Sequence, residues 1–157
     1  MRYAQDRHLP EGKWVQTTLA ESVVGVHYRK ADAVAFAHAA QKAEAKGLVY
    51  GVELEHRPDN PHDGNAIAVV GIAEEKGWFS RRLGRWHIGY LDRDLASEII
   101  SDLVSNGIAV AAQLYSIYEG KDGFLDFKVI VLAPPGYSTK TRLRAKALQS
   151  PGQALEP

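Results

Sequence analysis

The chain has no cysteine among its 157 residues. This absence excludes a disulfide framework, a zinc site with cysteine ligands and a thiol nucleophile. The sequence also lacks a run of roughly eighteen apolar residues, so we expect no helix that crosses a membrane. Its N-terminus lacks the apolar stretch of a signal peptide. Together these absences predict a cytoplasmic protein that has no membrane partner.

A net charge is lacking as well, because Lys plus Arg and Asp plus Glu each number 19. Broad, non-specific binding to nucleic acid is not expected, since its affinity comes from neutralising many phosphates. The charge is nevertheless segregated. Residues 76–93 carry five basic side chains and one acidic one, and residues 137–157 carry four and one. This pattern favours a small basic site on an otherwise acidic body.

The residues that are present, 45% hydrophobic and 24% charged, are those of one folded domain. Apolar alternation and helical spacing predict strands at 22–28, 48–56, 66–72, 87–91, 108–118 and 124–132, and helices at 31–46 and 92–106. Asp32 and Asp92 are the expected helix N-caps. Short strands joined mostly by hairpins predict a mainly β (α+β) fold, a six-stranded antiparallel barrel with two flanking helices.

Three segments follow from the same pattern. Residues 1–20 show no clean period and are expected to form a loosely held N-terminal arm. Residues 21–133 form the predicted domain, in which 73–85 is a long hairpin loop. Residues 134–157 begin with Pro134-Pro135-Gly136 and are expected to be a basic, disordered tail.

The polar loop between the second and third predicted strands carries side chains that could bind a ligand or a metal ion. One interpretation is turn chemistry alone, with Asx side chains that bond their own backbone. Another is that Asn60 and Asp63 face outward and bind a ligand, since a carboxylate is a strong acceptor for a sugar hydroxyl. A weaker alternative is a metal site formed by His56, Asp59, His62 and Asp63, although their spacing matches no tight zinc signature.

A catalytic interpretation is as weak as the metal site. A histidine at position 27, 62 or 87 would be the base, and the nucleophile would have to be serine or threonine. No serine here lies in a glycine-flanked elbow. We therefore predict a protein that is not an enzyme, has no catalytic residues and needs no cofactor.

A second polar segment mixes aromatic and basic residues, from Trp78 to Trp86. Guanidinium groups for phosphates, here Arg81, Arg82 and Arg85, beside aromatic rings for bases are typical of a surface that binds single strands. The alternative is that Trp78, Phe79 and Trp86 close one end of the barrel while the arginines are solvated. The residues alone do not decide between the two.

Three blocks of this chain resemble the signature blocks of the HIRAN domain family, in the family's order. They are Val23-Val-Gly-Val-His-Tyr28, the block from Leu54 to Val69 that contains Asn60-Pro-His-Asp-Gly-Asn-Ala-Ile67, and Ile88-Gly-Tyr-Leu-Asp-Arg-Asp-Leu-Ala96. The resemblance implies a modified OB-like six-stranded barrel with two helices. It also implies a non-enzymatic module that captures the 3′-hydroxyl end of single-stranded DNA, as the domain does in the helicase-like transcription factor and related DNA-remodelling ATPases.

The resemblance also implies roles for individual residues. Tyr28 matches an aromatic that packs against the terminal nucleotide, Asp63 the carboxylate that accepts from its 3′ hydroxyl, and Arg93 a basic position near phosphate. Asn60 shapes the same loop. His27 and His62 stand where helicase-associated members carry arginine and tyrosine. The expected nucleic-acid-binding set is completed by residues of the basic segment: Tyr90, Arg81, Arg82 and Arg85.

The leading hypothesis is therefore a binding module for single-stranded or 3′-overhang DNA in repair or replication-related processing. A separate helicase or nuclease is a candidate partner. The alternatives are a protein-interaction module that displays aromatic side chains, and a metal-dependent nuclease or hydrolase.

Overall fold

The computed structural model describes residues 9–149, which form seven strands and three α-helices. The strands are β1 (Val15–Gln16), β2 (Glu21–Ser22), β3 (Tyr50–His56), β4 (Ile67–Lys76), β5 (Arg81–Tyr90), β6 (Ala111–Glu119) and β7 (Leu125–Ala133). The helices are α1 (Lys30–Ala45), α2 (Arg93–Asp102) and α3 (Thr139–Gln149), and 3₁₀ turns lie at Val26–Arg29 and Val104–Asn106. None of the helices in this part of the chain is long and apolar enough to span a membrane.

The strands form two antiparallel sheets. In one, β7 pairs with β1, β2 and β6, and in the other, β4 lies between β3 and β5. Helix α1 packs between the sheets because its buried face is made of alanines around Phe36, whose ring contacts Trp86 of one sheet and Phe127 of the other. A Cβ at Gly71 of β4 would overlap the Phe36 ring, so this glycine makes room for the helix. One continuous core results.

The mixed α+β class is confirmed, but a closed six-stranded barrel is not. Within residues 9–149 the two sheets are joined by backbone pairing only at an isolated bridge between Val24 and Tyr90. The strand expected at 22–28 shrinks to Glu21–Ser22 because Gly25 adopts a left-handed conformation, with φ of 75°, and the chain enters a 3₁₀ turn. Glycine reaches that conformation at no steric cost, so it overrides the strand preference of the neighbouring valines.

Two other elements differ from the expectation. The hairpin loop expected at 73–85 is mostly strand, since β4 and β5 pair up to Lys76 and Arg81 and leave a four-residue turn. Helix α1 begins at Lys30, so Asp32 lies in its first turn and is not the N-cap. Asp92 is the N-cap of α2, as expected: its carboxylate accepts from the backbone N–H groups of Asp94 and Leu95.

The terminal segments are more ordered than the sequence indicates. Part of the expected arm forms β1, which pairs with β7, and Thr17 and Thr18 are buried. Part of the expected disordered tail is helix α3, because Arg142 anchors it to acidic residues of α2. Residues 1–8 of the arm and 150–157 of the tail lie outside the described part of the chain, and the domain boundaries at 21 and 133 remain predictions.

Candidate nucleic-acid interface

The loop between β3 and β4 is held in one shape by its own side chains. The Asn60 carboxamide oxygen accepts from the backbone N–H groups of His62 and Asp63, at 2.9 and 3.2 Å. The Arg57 N–H donates to the Ala66 carbonyl across the base of the loop. Asn60 therefore positions Asp63 through the backbone, and the turn-chemistry interpretation holds for Asn60 itself.

Asp63 carries the carboxylate of this loop. One oxygen accepts from the Asn65 backbone N–H at 2.9 Å, and the other lies 3.8 Å from Nε of Arg93. The Asp63 side chain is 20% exposed and that of Arg93 is 77% exposed. A carboxylate has about four acceptor positions, so Asp63 can accept a further hydrogen bond from a hydroxyl. Arg93 is thus loosely paired with Asp63 and leaves most of its guanidinium exposed to solvent.

Tyr28 lies on the 3₁₀ turn that precedes α1. Its side chain is 84% exposed, and its ring packs against His27 with centroids 3.9 Å apart. An exposed ring backed on one side by an imidazole offers its other face for stacking. Tyr28 can therefore support a base or sugar.

The Tyr28 turn and the Asp63 loop are brought to the same end of the β3–β4–β5 sheet. Val24 and Tyr90 exchange both backbone hydrogen bonds, at 2.8 and 3.0 Å, and the Arg29 guanidinium lies 5.8 Å from the Tyr90 ring centroid. The chain then leads from Tyr90 through the Asp92 cap to Arg93, which contacts Asp63. The three sequence blocks thus converge at this end of the sheet.

Two arginines that the sequence did not single out, Arg29 and Arg57, also lie near this end of the sheet, and Arg57 is ion-paired with Glu55 at 2.7 Å. Burial, followed by the positive charge of Arg29 and then that of Arg57, lowers the pKa of His87, which packs edge-on against Tyr90. The neutral imidazole donates from Nε2 to the Gly89 carbonyl at 2.9 Å, since a carbonyl can only accept. In the sequence, Arg29 directly follows Tyr28, and Arg57 stands at the start of the loop that carries Asp63. Those positions are the signal by which the sequence analysis could have identified both arginines.

The predicted arginines of the aromatic segment do not join this cluster. Arg81 and Tyr90 stand at opposite ends of β5, about 30 Å apart at the usual rise per residue. Arg85 bonds Glu53 and Glu55 at 2.8 and 2.7 Å, and the bond to Glu53 is the main reason that its pKa is raised. Arg85 therefore offers no uncompensated charge, while Arg81 and Arg82 are the first residues of β5, next to the hairpin turn.

The aromatic residues of the same segment lie in two different environments. Trp78 and Phe79, at the hairpin turn, are 97% and 99% exposed. Trp86 is half-buried, packs 6.1 Å from Phe36 and lies over Gly84. The sequence predicted that Trp78, Phe79 and Trp86 would share one environment, either exposed to a partner or closing the barrel. That prediction is wrong, because neighbouring side chains of a strand point to opposite faces and only the residues of the turn are free of packing contacts.

The alternative metal site is not assembled among the described residues, where no group of three or more His, Asp or Glu side chains could hold an ion. His56 instead bonds the Gly64 carbonyl at 2.9 Å, and Asp63 faces Arg93. His62 is exposed at the outer edge of the loop. Two of the four candidate ligands, His56 and Asp63, are thus engaged with neighbouring groups rather than with a common centre.

Comparison with known proteins gives one structural likeness. No protein-family model matches the chain. No curated protein matches it either. The fold is similar to the crystal structure of the HIRAN domain of human HLTF, with a TM-score of 0.43 and 17% sequence identity, over 92% of this chain and 97% of that one. A likeness at this identity does not transfer residue roles, so the candidate site stands on its own geometry.

Proposed function

We propose that this chain is a nucleic-acid-binding module that recognises the 3′-hydroxyl end of single-stranded DNA, in repair or replication-related processing. The observation that carries the proposal is the pairing of a carboxylate with an exposed guanidinium, Asp63 with Arg93, at the sheet end where Tyr28 stands exposed. These groups match the three parts of a strand terminus.

Each part of the terminus has a partner. The Asp63 carboxylate accepts a hydrogen bond from the terminal hydroxyl, and bonds to charged groups are the stronger ones. Arg93 and Arg29 are cations near the phosphates, and Tyr28 is a platform on which a base stacks without regard to its identity. A 3′ phosphate would bring negative charge against Asp63, so specificity comes from the free hydroxyl.

We expect a short oligonucleotide with a 3′ hydroxyl to bind at least about tenfold more tightly than the same oligonucleotide with a 3′ phosphate, as one bond to a charged group predicts. Asp63→Asn removes that preference. It does not weaken binding to phosphates, because the substitution removes a negative charge. Fluorescence anisotropy with a 5′-labelled oligonucleotide measures both affinities.

Asp59→Asn is the matched control, since Asp59 is an exposed aspartate of the same loop. This variant should keep the wild-type preference. Equal affinity of the wild-type protein for the two ends would refute the hydroxyl recognition.

The second candidate is a protein-interaction module, and the full exposure of Trp78 and Phe79 favours it. An apolar protein interface responds little to salt, whereas affinity for single-stranded DNA falls with a slope of about 0.7 per neutralised phosphate in a plot of log affinity against log salt. Titration at several salt concentrations separates the two candidates.

A further inference from the structure

A cationic groove lies at the far end of the molecule from the candidate site. It runs between the last turns of α1 and the turn of the β4–β5 hairpin and encloses about 290 Å³. Four cationic and two acidic side chains line it: Lys42, Lys46, Lys76, Arg82, Glu74 and Glu75. The groove therefore brings together charges from two elements that are distant in sequence.

The cations of this groove are uncompensated. Within residues 9–149 none of the four cations of the groove makes an ion pair with an acidic side chain; they are Lys42 of α1, Lys46 directly after it, Lys76 and Arg82. Glu74 is already engaged, since it accepts from the Val49 backbone N–H at 3.1 Å and faces Arg81 at 3.5 Å. The groove thus has an excess of positive charge directed at solvent, although the whole chain is neutral.

Two exposed aromatic rings lie on the hairpin turn, whose end residues Gly77 and Ser80 line the groove. The hairpin turn is closed by a hydrogen bond of 2.8 Å from the Gly77 N–H to the Ser80 carbonyl, and it displays Trp78 and Phe79. Free rings beside free cations suit a ligand that is both anionic and aromatic. A single strand of nucleic acid has both properties, whereas an acidic peptide supplies only the charge.

We propose that the groove and the hairpin turn are a second contact for single-stranded nucleic acid, where the strand continues after its end is held near Asp63. This inference rests on the proposed function. Helix α1 starts directly after the Tyr28 turn and has 16 residues, so the groove lies about 24 Å from that turn. Several nucleotides are needed to cover that distance, which agrees with the sites of 4 to about 16 nucleotides found on related small β folds.

The test uses oligonucleotides of about four and about twelve nucleotides, both with a 3′ hydroxyl. The wild-type protein should bind the longer one more tightly. In the double variant Lys42→Gln/Lys46→Gln that advantage should shrink by about tenfold, and the salt slope for the longer strand should fall by about 1.4, for two lost phosphate contacts. Affinity for the short strand should stay unchanged.

The matched control is Lys13→Gln/Lys140→Gln, which removes the same charge from two exposed lysines outside the groove. It should keep the length advantage. A second measurement uses Trp78→Ala, which should weaken binding of the longer strand about tenfold through lost stacking. Circular dichroism verifies that each variant is folded.

The outcomes separate this inference from the proposed function. Suppose the short strand shows the hydroxyl preference but the longer strand binds no more tightly, or the groove variants keep the full affinity for the longer strand. The groove inference is then wrong, and the proposed function stands. If neither strand shows a hydroxyl preference, the proposed function fails. If a poly-glutamate peptide displaces the longer strand as well as an unlabelled oligonucleotide does, the groove is a site for acidic protein and the inference is overturned.

Discussion

At the scale of single residues, Gly89 determines whether the candidate site can form. A Cβ at this position would overlap the Val24 carbonyl oxygen and lie 2.7 Å from Cγ1 of Val23. The close approach allows the Val24–Tyr90 bridge, which places the Tyr28 turn beside the end of β5. The glycine of the Ile88–Gly89–Tyr90 block is thus required by packing, not by catalysis or direct binding.

Gly89→Ala should lower the free energy of unfolding by about 2 kcal/mol, because the added methyl forces two backbone segments apart. It should also weaken end recognition, since Tyr28 is displaced. Urea denaturation and the anisotropy titration measure the two effects. Gly77→Ala is the control, because a Cβ there meets only the Ser80 carbonyl at an ordinary 3.4 Å. Equal stability of both variants would contradict the packing argument.

At the scale of elements, helix α3 is held by a buried cation. Arg142 is 7% exposed, and its guanidinium donates to Thr17 of the N-terminal segment and to Glu98 and Asp102 of α2. Burial by itself raises the pKa of Glu98. Hydrogen bonds from Arg142 and Lys146 lower it by a larger amount, so the pKa of Glu98 is below its ordinary value. Arg142 therefore ties three distant segments together.

Arg142→Met should lower the free energy of unfolding by about 2 kcal/mol at neutral pH, because two partly buried carboxylates keep only Lys146 as a partner. Arg144→Met, at an exposed position of the same helix, should cost under about 0.5 kcal/mol.

The loss in free energy of unfolding caused by Arg142→Met should also depend on pH. Since the folded pKa of Glu98 is depressed, its contribution is complete above the ordinary value of about 4.3 and is lost as pH falls below it. A deficit that is the same at pH 7 and pH 3 would contradict this. Thermal unfolding at both pH values supplies the measurement.

At the scale of the whole molecule, one aromatic side chain links both sheets. Phe36 is fully buried, with its ring centroid 5.7 Å from that of Phe127 and 6.1 Å from that of Trp86. Because the sheets share little backbone pairing, their association depends on helix α1 and this core. The protein should therefore unfold as one unit.

Phe36→Ala should lower the free energy of unfolding by about 4 kcal/mol, the usual cost of removing a buried phenyl ring. Tryptophan fluorescence and far-ultraviolet circular dichroism should still report coincident transitions. Val34→Ala, at a half-exposed position of the same helix, should cost about 1 kcal/mol or less. Two separate transitions would show that the sheets fold independently.

Much of the element order was predictable because it depends on local pattern. The helix expected at 31–46 is Lys30–Ala45, and the strand expected at 124–132 is Leu125–Ala133. The prediction of a strand at 22–28 was wrong, because the left-handed conformation of Gly25 overrides the strand preference of the neighbouring valines. Helix α3 was missed because it has no apolar face in the sequence pattern and because its anchor, Arg142, bonds residues forty or more positions away.

For the candidate site, the sequence singled out Tyr28, Asn60, Asp63 and Arg93 from motif blocks whose spacing is local. It also placed Arg81, Arg82 and Arg85 in the same set as Arg93, since all four lie between positions 81 and 93. Only the extension of β5 sends the hairpin arginines to the opposite end of the sheet and pairs Arg85 with two glutamates.

The sequence by itself determined the order of most strands and helices, the N-cap of α2 and the shape of the Asp63 loop, because each depends on neighbours within a few residues. The tertiary structure alone decided that the sheets do not close, that the charges of Arg29 and Arg57 act on His87, and that Lys42 and Lys46 meet Arg82 in a groove. Those arrangements depend on contacts between segments far apart in the chain, and neither periodicity nor composition records such contacts.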